Sequence, residues 1–305
     1  WIYPGIHPLK INVDGSLSVI LGVPREVPLE AIVMKAAGPV PIMSDREILN
    51  FYFEDHGINV RPSDKSIWCE KLVALFGGIW ELESLLEDED FRIFILDYIC
   101  DPETRIFDKL REPFTQKEFC NLLQNVVKKS QLIKTLVERN ILIPGFSFKC
   151  RFCKKDSWRA LKEIGSGRVI CQHCFYEQPL TSDTITLKYV WNAVFKEAIE
   201  QGAMLPILIK IALSKTTWGR EAFFMLGSSI SPHNIEEDLI CVGRFVIIGE
   251  CKISGKFEQR DIETLRAIMR DADADLVILG TLRDIPHIRK TLEKLPEGGH
   301  FMIID

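Results

Sequence analysis

The feature that most constrains the fold is a pair of short apolar segments joined by a turn. Residues 239–242 and 245–248 flank Gly243-Arg244, which predicts two antiparallel strands in a tight β-hairpin. The second segment is apolar throughout, as is typical of a strand in the interior of a sheet. The hairpin therefore predicts the centre of a β-sheet rather than its edge.

Three ionisable side chains stand at the ends of these segments. Asp238 precedes the first, while Glu250 and Lys252 follow the second two residues apart and so share one face of the strand. Two carboxylates suit Mg²⁺, which can polarise a phosphate and acidify a bound water. The pattern predicts a site for phosphodiester hydrolysis, in which Lys252 orients the water or offsets developing charge. The competing interpretation is a solvated ion pair, because Glu-x-Lys is a common tripeptide.

Asp238, followed by Glu250-Cys251-Lys252 at the end of an apolar strand, resembles the PD-(D/E)XK nuclease superfamily. The resemblance covers about one domain at the C-terminal end, and one departure is that Glu237, not proline, precedes Asp238. It implies a restriction-endonuclease-like αβ sandwich. It also implies that Asp238, Glu250 and the carbonyl of Cys251 bind a catalytic Mg²⁺ or Mn²⁺, with Lys252 as the catalytic lysine.

Many nucleases of this superfamily carry a further acid on the helix before the hairpin. We expect that helix at residues 187–201, and the resemblance implies Glu197 as the acid, with Glu200 and Glu221 as alternatives. Ordinary surface glutamates are the competing account. Glu236, which shares a strand face with Asp238, is another candidate.

The segments around the hairpin alternate between helical and extended patterns. Before it we expect a helix and then a strand; after it we expect a helix, a strand, a helix and a final strand. In chain order these are residues 205–213, 222–226, 257–269, 276–280, 286–295 and 301–304. This order predicts an α/β sandwich.

Four cysteines form two Cys-x-x-Cys pairs separated by seventeen residues. This is the spacing of a four-thiolate zinc site, in which each tight turn presents two sulfur atoms. Cys150, Cys153, Cys171 and Cys174 are therefore predicted to bind a structural Zn²⁺ within a zinc ribbon. His173 lies inside the second pair and is expected to be a neighbour of the metal, since four cysteines complete the site.

The predicted ribbon is locally basic. Residues 149–168 contain seven Lys or Arg and two acidic residues. Basic and aromatic side chains together can hold a nucleic-acid backbone and stack on its bases. The candidate nucleic-acid-binding residues are Arg151, Lys154, Lys155, Trp158 and Arg159. The alternative is that the cations offset the negative charge of the zinc–thiolate centre.

Four regions follow from these patterns. Residues 1–111 are expected to be a mixed α/β regulatory or partner-binding region without a catalytic constellation. Residues 112–148 contain two helices and a strand, a winged-helix-like pattern for which a structural role or a protein contact is favoured over DNA readout. The zinc ribbon occupies residues 149–180 and the nuclease domain residues 181–305.

Composition limits the remaining possibilities. The net charge of −5 excludes a polycation, so a nucleic-acid surface has to be a local patch. No apolar run is long enough to span a membrane, and no signal peptide is visible. The five cysteines outside the two pairs are scattered among apolar neighbours, which predicts a reduced, cytoplasmic protein. Because the sequence begins at Trp1, we expect a fragment of a longer protein.

The sequence thus predicts a metal-dependent nuclease that cuts DNA rather than RNA and can form a homo-oligomer. Such a nuclease would act as the effector of a prokaryotic restriction or antiphage defence system. Residues 1–111 would then contact a protein partner or activator. The alternative hypothesis is a catalytically idle nuclease fold that acts as a zinc-ribbon module binding nucleic acid or protein.

Overall fold

The computed structural model describes residues 10–11, 17–18, 44–101, 104, 106–164, 167–181, 185–217, 219–231, 235–252, 257–281 and 300–304. Contacts divide the chain into two compact units. The first unit comprises Trp1–Ile67 and Leu205–Asp305, and the second unit comprises Trp68–Met204. The boundaries predicted at residues 111, 148 and 180 do not coincide with this division.

The described residues form a mixed α/β structure. Its helices are α1 Asp45–Asp55, α2 Asp64–Phe76, α3 Ile79–Glu87, α4 Glu89–Ile93, α5 Ile106–Lys109, α6 Gln116–Leu122, α7 Lys129–Glu138, α8 Ala193–Glu200, α9 Met204–Ser214 and α10 Gln259–Asp271. Its strands are β1 Lys10–Ile11, β2 Leu17–Ser18, β3 Asn59–Pro62, β4 Leu142–Lys149, β5 Asp156–Ala160, β6 Arg168–Ile170, β7 Glu177–Pro179, β8 Ile185–Trp191, β9 Phe223–Ser231, β10 Ile235–Val242, β11 Val246–Cys251, β12 Leu276–Gly280 and β13 His300–Ile304.

The first unit is built on a mixed six-stranded sheet in the order β13-β12-β11-β10-β9-β3. Strands β3, β9, β10 and β11 pair antiparallel, whereas β11, β12 and β13 pair parallel. Because β10 and β11 have neighbours on both sides, the hairpin lies in the interior of the sheet, as its apolar sequence predicts.

Helices cover both faces of this sheet, because alternate residues of each strand point to opposite faces. Ile240 and Ile248 pack in one cluster with residues of α1 and α10. Leu239 and Ile247, each one residue earlier, pack in another cluster with Leu205 and other residues of α9. These parts of the strands are therefore apolar on both faces. Strand β10 begins at Ile235, four residues earlier than predicted, so Glu237 and Asp238 are buried residues within the strand and do not precede it.

The connection between β10 and β11 is longer than the sequence predicted. The last pair of the ladder is Val242 with Val246, which leaves Gly243, Arg244 and Phe245 in the loop. The prediction placed Phe245 in the strand because it is apolar. In the structure Phe245 lies beyond the pairing, and its ring is covered by the cation of Arg244, 5.6 Å from the ring centroid.

The second unit contains two small antiparallel sheets, β5-β4-β8 and β6-β7. Its apolar core is rich in aromatic rings, with Trp191 at the end of β8 buried among them. The rings in contact with Trp191 are Phe94, Phe107, Phe114, Phe119 and Phe195. The helices predicted before the ribbon are present as α6 and α7, and α6 begins at a capping box formed by Thr115 and Glu118.

The single helix predicted at residues 187–201 is wrong in its first part. Residues up to Trp191 form β8, which pairs with β4. Helix α8 starts only after Asn192, whose side-chain oxygen accepts the N–H groups of Val194 at 2.8 Å and Phe195 at 3.4 Å. The apolar spacing fitted a helix as well as a strand, and pairing with β4 decides the outcome.

Two further predictions concern the chain as a whole. None of the described helices has the length and apolar character needed to cross a membrane. None of the nine cysteines, all of which lie in the described part of the chain, forms a disulfide bond. The helix predicted at residues 286–295 lies outside the described residues.

Candidate functional site

The register of the central hairpin brings the two predicted carboxylates together. Leu239 pairs with Gly249 in the antiparallel ladder of β10 and β11. One residue further along this register, Asp238 stands opposite Glu250. Directly opposed residues of antiparallel strands have Cβ atoms about 5 Å apart, so these two acids are neighbours.

Asp238 is held by both of its carboxylate oxygens. It is 1 % exposed. Its Oδ2 accepts the backbone N–H of Cys251 at 2.8 Å, and its Oδ1 accepts a hydrogen bond from the ammonium group of Lys65. A buried carboxylate needs such partners, because an unpaired charge in the interior is strongly destabilised.

Lys65 was not identified from the sequence, and a glycine explains its position. Gly227 of β9 has φ +66°, and a Cβ atom there would lie 2.5 Å from the backbone nitrogen of Ser66. The N–H of Ser63 also donates to the carbonyl of Gly227 at 3.0 Å. Only glycine combines this conformation with such a close approach. Gly227 thereby fixes the start of α2 on β9 and places Lys65 beside Asp238.

Lys252 is fixed by three contacts at the end of β11. Its backbone N–H donates to the carbonyl of Gly280 at 2.9 Å. Its ammonium group lies 3.8 Å from Oε1 of Glu250 and hydrogen-bonds Oδ2 of Asp261. Asp261 also accepts the N–H of Glu258 as part of the capping box of α10. The first turn of α10 therefore supplies a third acid beside Lys252.

The pKa values of the carboxylates in this site reflect their burial and their closeness to one another. Burial raises the pKa of Glu250 to about 7, and the charge of Asp238 adds to this shift against the opposing effect of Lys252. Burial also raises the pKa of Asp238, although Lys65 opposes it. Burial lowers the pKa of Lys65, but attraction to Asp238 outweighs this and leaves it above its ordinary value. Burial and the neighbouring carboxylates therefore both favour the protonated form of Glu250.

Glu237 adds a buried acid next to this site. It is 1 % exposed, and burial raises its pKa well above the ordinary value, with the charges of Glu250 and Asp238 acting in the same direction. It pairs with Ser228 of β9. Glu237 Oε2 and Ser228 Oγ are both buried without a hydrogen-bond partner among the described residues. A protonated Glu237 is therefore the form that this position favours.

The structure describes each of the other candidate acids. Glu197 is on α8, in the second unit, and accepts a hydrogen bond from Gln201 at 2.9 Å. Glu200 and Glu221 are exposed. Glu236 on β10 is also exposed but lies near the site, since its charge contributes to the raised pKa values of Asp238 and Lys65. Asp261 is thus the additional acid that the first unit places beside Lys252, and no local sequence signal marks it, because its role as a helix cap is common.

In the second unit, the four predicted cysteines come together. Their sulfur atoms all lie within 4.8 Å of one another. In the part of the chain that the structure describes, Cys150, Cys153, Cys171 and Cys174 are the one group of three or more potential ligands this close. The Sγ atoms of Cys150 and Cys174 are 3.6 Å apart, as are those of Cys153 and Cys171. Tetrahedral Zn–S bonds of about 2.3 Å place sulfurs roughly 3.8 Å apart, so the cluster fits a zinc ion.

The two Cys-x-x-Cys turns have the same backbone geometry. The N–H of Lys154 donates to the carbonyl of Cys150, and the N–H of Phe175 donates to that of Cys171, both at 3.0 Å. Lys154 has φ 61° and Phe175 has φ 59°. His173 is a neighbour of the cluster, since its backbone N–H donates to Sγ of Cys171 at 3.4 Å. Its Nε2 lies 2.9 Å from the carbonyl oxygen of Asp156 on β5. The repeated turn is what presents two sulfurs from each hairpin.

The five residues predicted to bind nucleic acid divide into two groups. Arg151, Lys154 and Lys155 are exposed around the first turn. Trp158 is half-buried and packs on Gly145, where a Cβ atom would lie 2.5 Å from its ring. Arg159 donates from Nε to the carbonyl of Ile170 at 2.9 Å and pairs with Glu163. Trp158 and Arg159 thus have structural contacts, and three cations remain at the surface.

Comparisons with known proteins give little further guidance. No protein-family model matches the chain, and no curated protein matches it. Among solved structures, the crystal structure of protein VC1899 from Vibrio cholerae is similar with a TM-score of 0.37 and 15 % sequence identity. The alignment covers 96 % of this chain and 64 % of that chain, so the chain spans less than two thirds of that protein's length. The likeness assigns neither a family nor an activity.

Proposed function

We propose that the chain is a metal-dependent nuclease of the PD-(D/E)XK type that hydrolyses phosphodiester bonds. The observation that carries the proposal is the closeness of Asp238 and Glu250 at the end of the central hairpin. Asp238 accepts the N–H of Cys251, its charge acts on Glu250, and Lys252 lies 3.8 Å from Glu250. The mixed sheet, with helices on both faces, is compatible with the restriction-endonuclease-like sandwich. DNA is the preferred substrate in this proposal, and a defence effector that pairs with a second copy is its biological setting.

The donor set fits a hard divalent cation. Asp238 and Glu250 would supply carboxylate oxygens, and Cys251, whose N–H already binds Asp238, would supply its carbonyl oxygen. Burial and the charge of Asp238 raise the pKa of Glu250, and a cation at this position would favour its ionised form. Bound Mg²⁺ or Mn²⁺ would polarise the phosphate of the substrate and lower the pKa of a water bound to the metal.

The protein's own groups prepare the remaining chemistry. Lys252 is anchored at its backbone by Gly280 and at its ammonium group by Asp261. Its cation can orient a water for in-line attack or offset the charge that develops on the phosphate in the transition state. Lys65 pairs with Asp238 while no metal ion is bound.

The test is cleavage of plasmid DNA, single-stranded DNA and RNA with Mg²⁺ or Mn²⁺. Wild type is compared with Glu250→Gln and Lys252→Met, which keep the side-chain sizes. Glu54→Gln, at an exposed acid of the same unit, is the matched control. We expect metal-dependent cleavage by wild type and Glu54→Gln, and a loss of at least 100-fold in both site variants. Undiminished cleavage by Glu250→Gln would remove the assignment.

A second candidate is an idle nuclease fold that serves as a binding module. The observation that favours it is internal pairing: Asp238 is occupied by Lys65, and Lys252 by Asp261. Calorimetric titration with Mg²⁺ separates the two candidates. Binding that disappears in Glu250→Gln supports the nuclease, whereas the absence of binding heat at millimolar Mg²⁺ supports the idle fold.

A further inference from the structure

Aromatic side chains of the zinc ribbon are unusually exposed. Phe152 is 70 % exposed, Phe175 77 % and Tyr176 44 %. Each lies within or directly after a Cys-x-x-Cys turn. Large aromatic side chains contribute most to stability when they are buried, so a group of them on a small surface indicates a binding site.

Phe152 and Tyr176 form a stacked pair, which we call the ribbon platform. Their ring centroids are 5.5 Å apart, and the ring planes are inclined by 24°. The carbonyl of Tyr176 accepts the N–H of Cys171 at 3.0 Å, and Phe152 lies between two cysteines of the cluster. The platform is thus fixed by the two turns, and little conformational entropy remains to be lost when a ligand binds.

Three exposed cations without acidic partners lie on or next to the turn that carries Phe152. Within the described part of the chain, no ion pair involves Arg151, Lys154 or Lys155. The two other arginines of the ribbon differ, since Arg159 pairs with Glu163 and Arg168 with Glu177. The positive charge that remains is concentrated on the turn that carries Phe152, and it complements an anionic partner.

We propose that the ribbon platform binds single-stranded nucleic acid by stacking on unpaired bases, while Arg151, Lys154 and Lys155 contact the phosphates. Exposed rings beside cations are the combination that single-strand-binding surfaces use. Bases in a duplex are already stacked on one another and leave no face for the platform. Binding at this site does not depend on hydrolysis at Asp238 and Glu250, so it can be measured without a divalent metal.

The test is fluorescence anisotropy with three labelled probes and no added Mg²⁺ or Mn²⁺. The probes are a 20-nucleotide oligothymidylate, an abasic oligonucleotide of the same length and charge, and a 20-base-pair duplex. We expect wild type to prefer oligothymidylate to both others. Phe152→Ala should weaken oligothymidylate binding by roughly 5- to 150-fold, and Phe152→Tyr should restore it. Trp80→Ala, at an exposed aromatic residue outside the ribbon, is the matched control and should bind like wild type.

Charge and folding are tested separately. Arg151→Gln combined with Lys155→Gln should reduce the slope of log affinity against log salt concentration by about 1.4. Bound zinc, measured in every variant, shows that the ribbon is intact. Equal binding of the abasic and thymidylate probes would overturn the proposal. So would wild-type affinity in zinc-loaded Phe152→Ala, or an absence of binding by wild type. Cleavage of DNA by a chain without this binding would leave the nuclease proposal standing and remove this one.

Discussion

The cluster of four cysteines and the carboxylate site differ in how far apart their parts lie in the sequence. The four cysteines of the ribbon span residues 150–174 and repeat one turn twice. The carboxylate site instead combines the hairpin with Asp261 and with Lys65, which lies 173 residues from Asp238. A site made from one local motif is visible in a sequence, whereas a site assembled by packing is only partly visible.

The largest expected effect is loss of the ribbon. Cys171→Ser removes one of four thiolates, and structural zinc contributes on the order of 10 kcal/mol to small zinc domains. We expect zinc loss and a large fall in melting temperature, measured by metal analysis and thermal unfolding. Cys120→Ser, at a cysteine outside the cluster, should retain both. A Cys171→Ser protein with full zinc content and unchanged melting temperature would contradict a structural metal site.

The next effect concerns the contact that brings Lys65 to Asp238. Gly227→Ala places a Cβ atom 2.5 Å from the backbone of Ser66 at φ +66°, and should lower the free energy of unfolding by about 3 kcal/mol. Gly57→Ala is the control, because Gly57 has φ +70° but a Cβ atom added there would meet no other atom within 4 Å, and it should lose about 1 kcal/mol. Urea unfolding measures both. Equal losses of unfolding free energy in the two variants would show that the close approach at Gly227 does not position the start of α2.

The pH dependence of stability tests the crowding of acids. Without divalent metal, Glu250 has a pKa of about 7 in the folded protein against 4.5 ordinarily, so the folded state holds this proton more tightly. The free energy of unfolding should therefore fall as pH rises from about 4.5 to 7, by on the order of 2 kcal/mol from this group. Glu250→Gln should lack that decrease. Identical pH profiles for the two proteins, from urea unfolding at several pH values, would contradict a buried, charge-crowded Glu250.

The smallest effect concerns Lys65. Its ammonium group occupies an oxygen of Asp238 that a metal ion would use, so it competes with the metal for this carboxylate. Lys65→Ala should bind Mg²⁺ about tenfold more tightly than wild type, whereas Lys65→Arg, which keeps the cation, should not. Calorimetry decides between the outcomes. Weaker Mg²⁺ binding by Lys65→Ala would mean that Lys65 supports the metal site instead of competing with it.

Several elements of the first unit follow from local sequence patterns. Strand β12 has a continuous apolar run and was predicted with its observed bounds, and α10, apolar on one face, was predicted within two residues. The apolar run of β11 was also recognised, but the strand extends three residues further, to Cys251. The loop of the hairpin was predicted one residue too short, because an apolar Phe245 fits a strand pattern. Pairing registers, which put Asp238 opposite Glu250, arise from packing of the whole sheet.

Contacts that were missed share one physical cause. Lys65 and Asp261 are ordinary residues near helix starts, and only tertiary packing gives them partners in the site. In the ribbon, composition identified a basic surface, but it did not show which of the basic side chains form ion pairs with acidic residues. Trp158 and Arg159 have structural contacts, while the exposed pair of Phe152 and Tyr176 depends on how two turns meet.

The central claim is that Asp238 and Glu250 together hold a catalytic cation, and Mn²⁺ binding tests it most directly. Electron paramagnetic resonance of zinc-loaded protein would count free and bound Mn²⁺ for wild type, Asp238→Asn and Glu250→Gln, with Glu54→Gln as control. We predict that wild type and Glu54→Gln bind Mn²⁺, and that both site variants lose this binding while they keep their zinc. Equal Mn²⁺ binding by all four proteins, or none by wild type, would contradict the account.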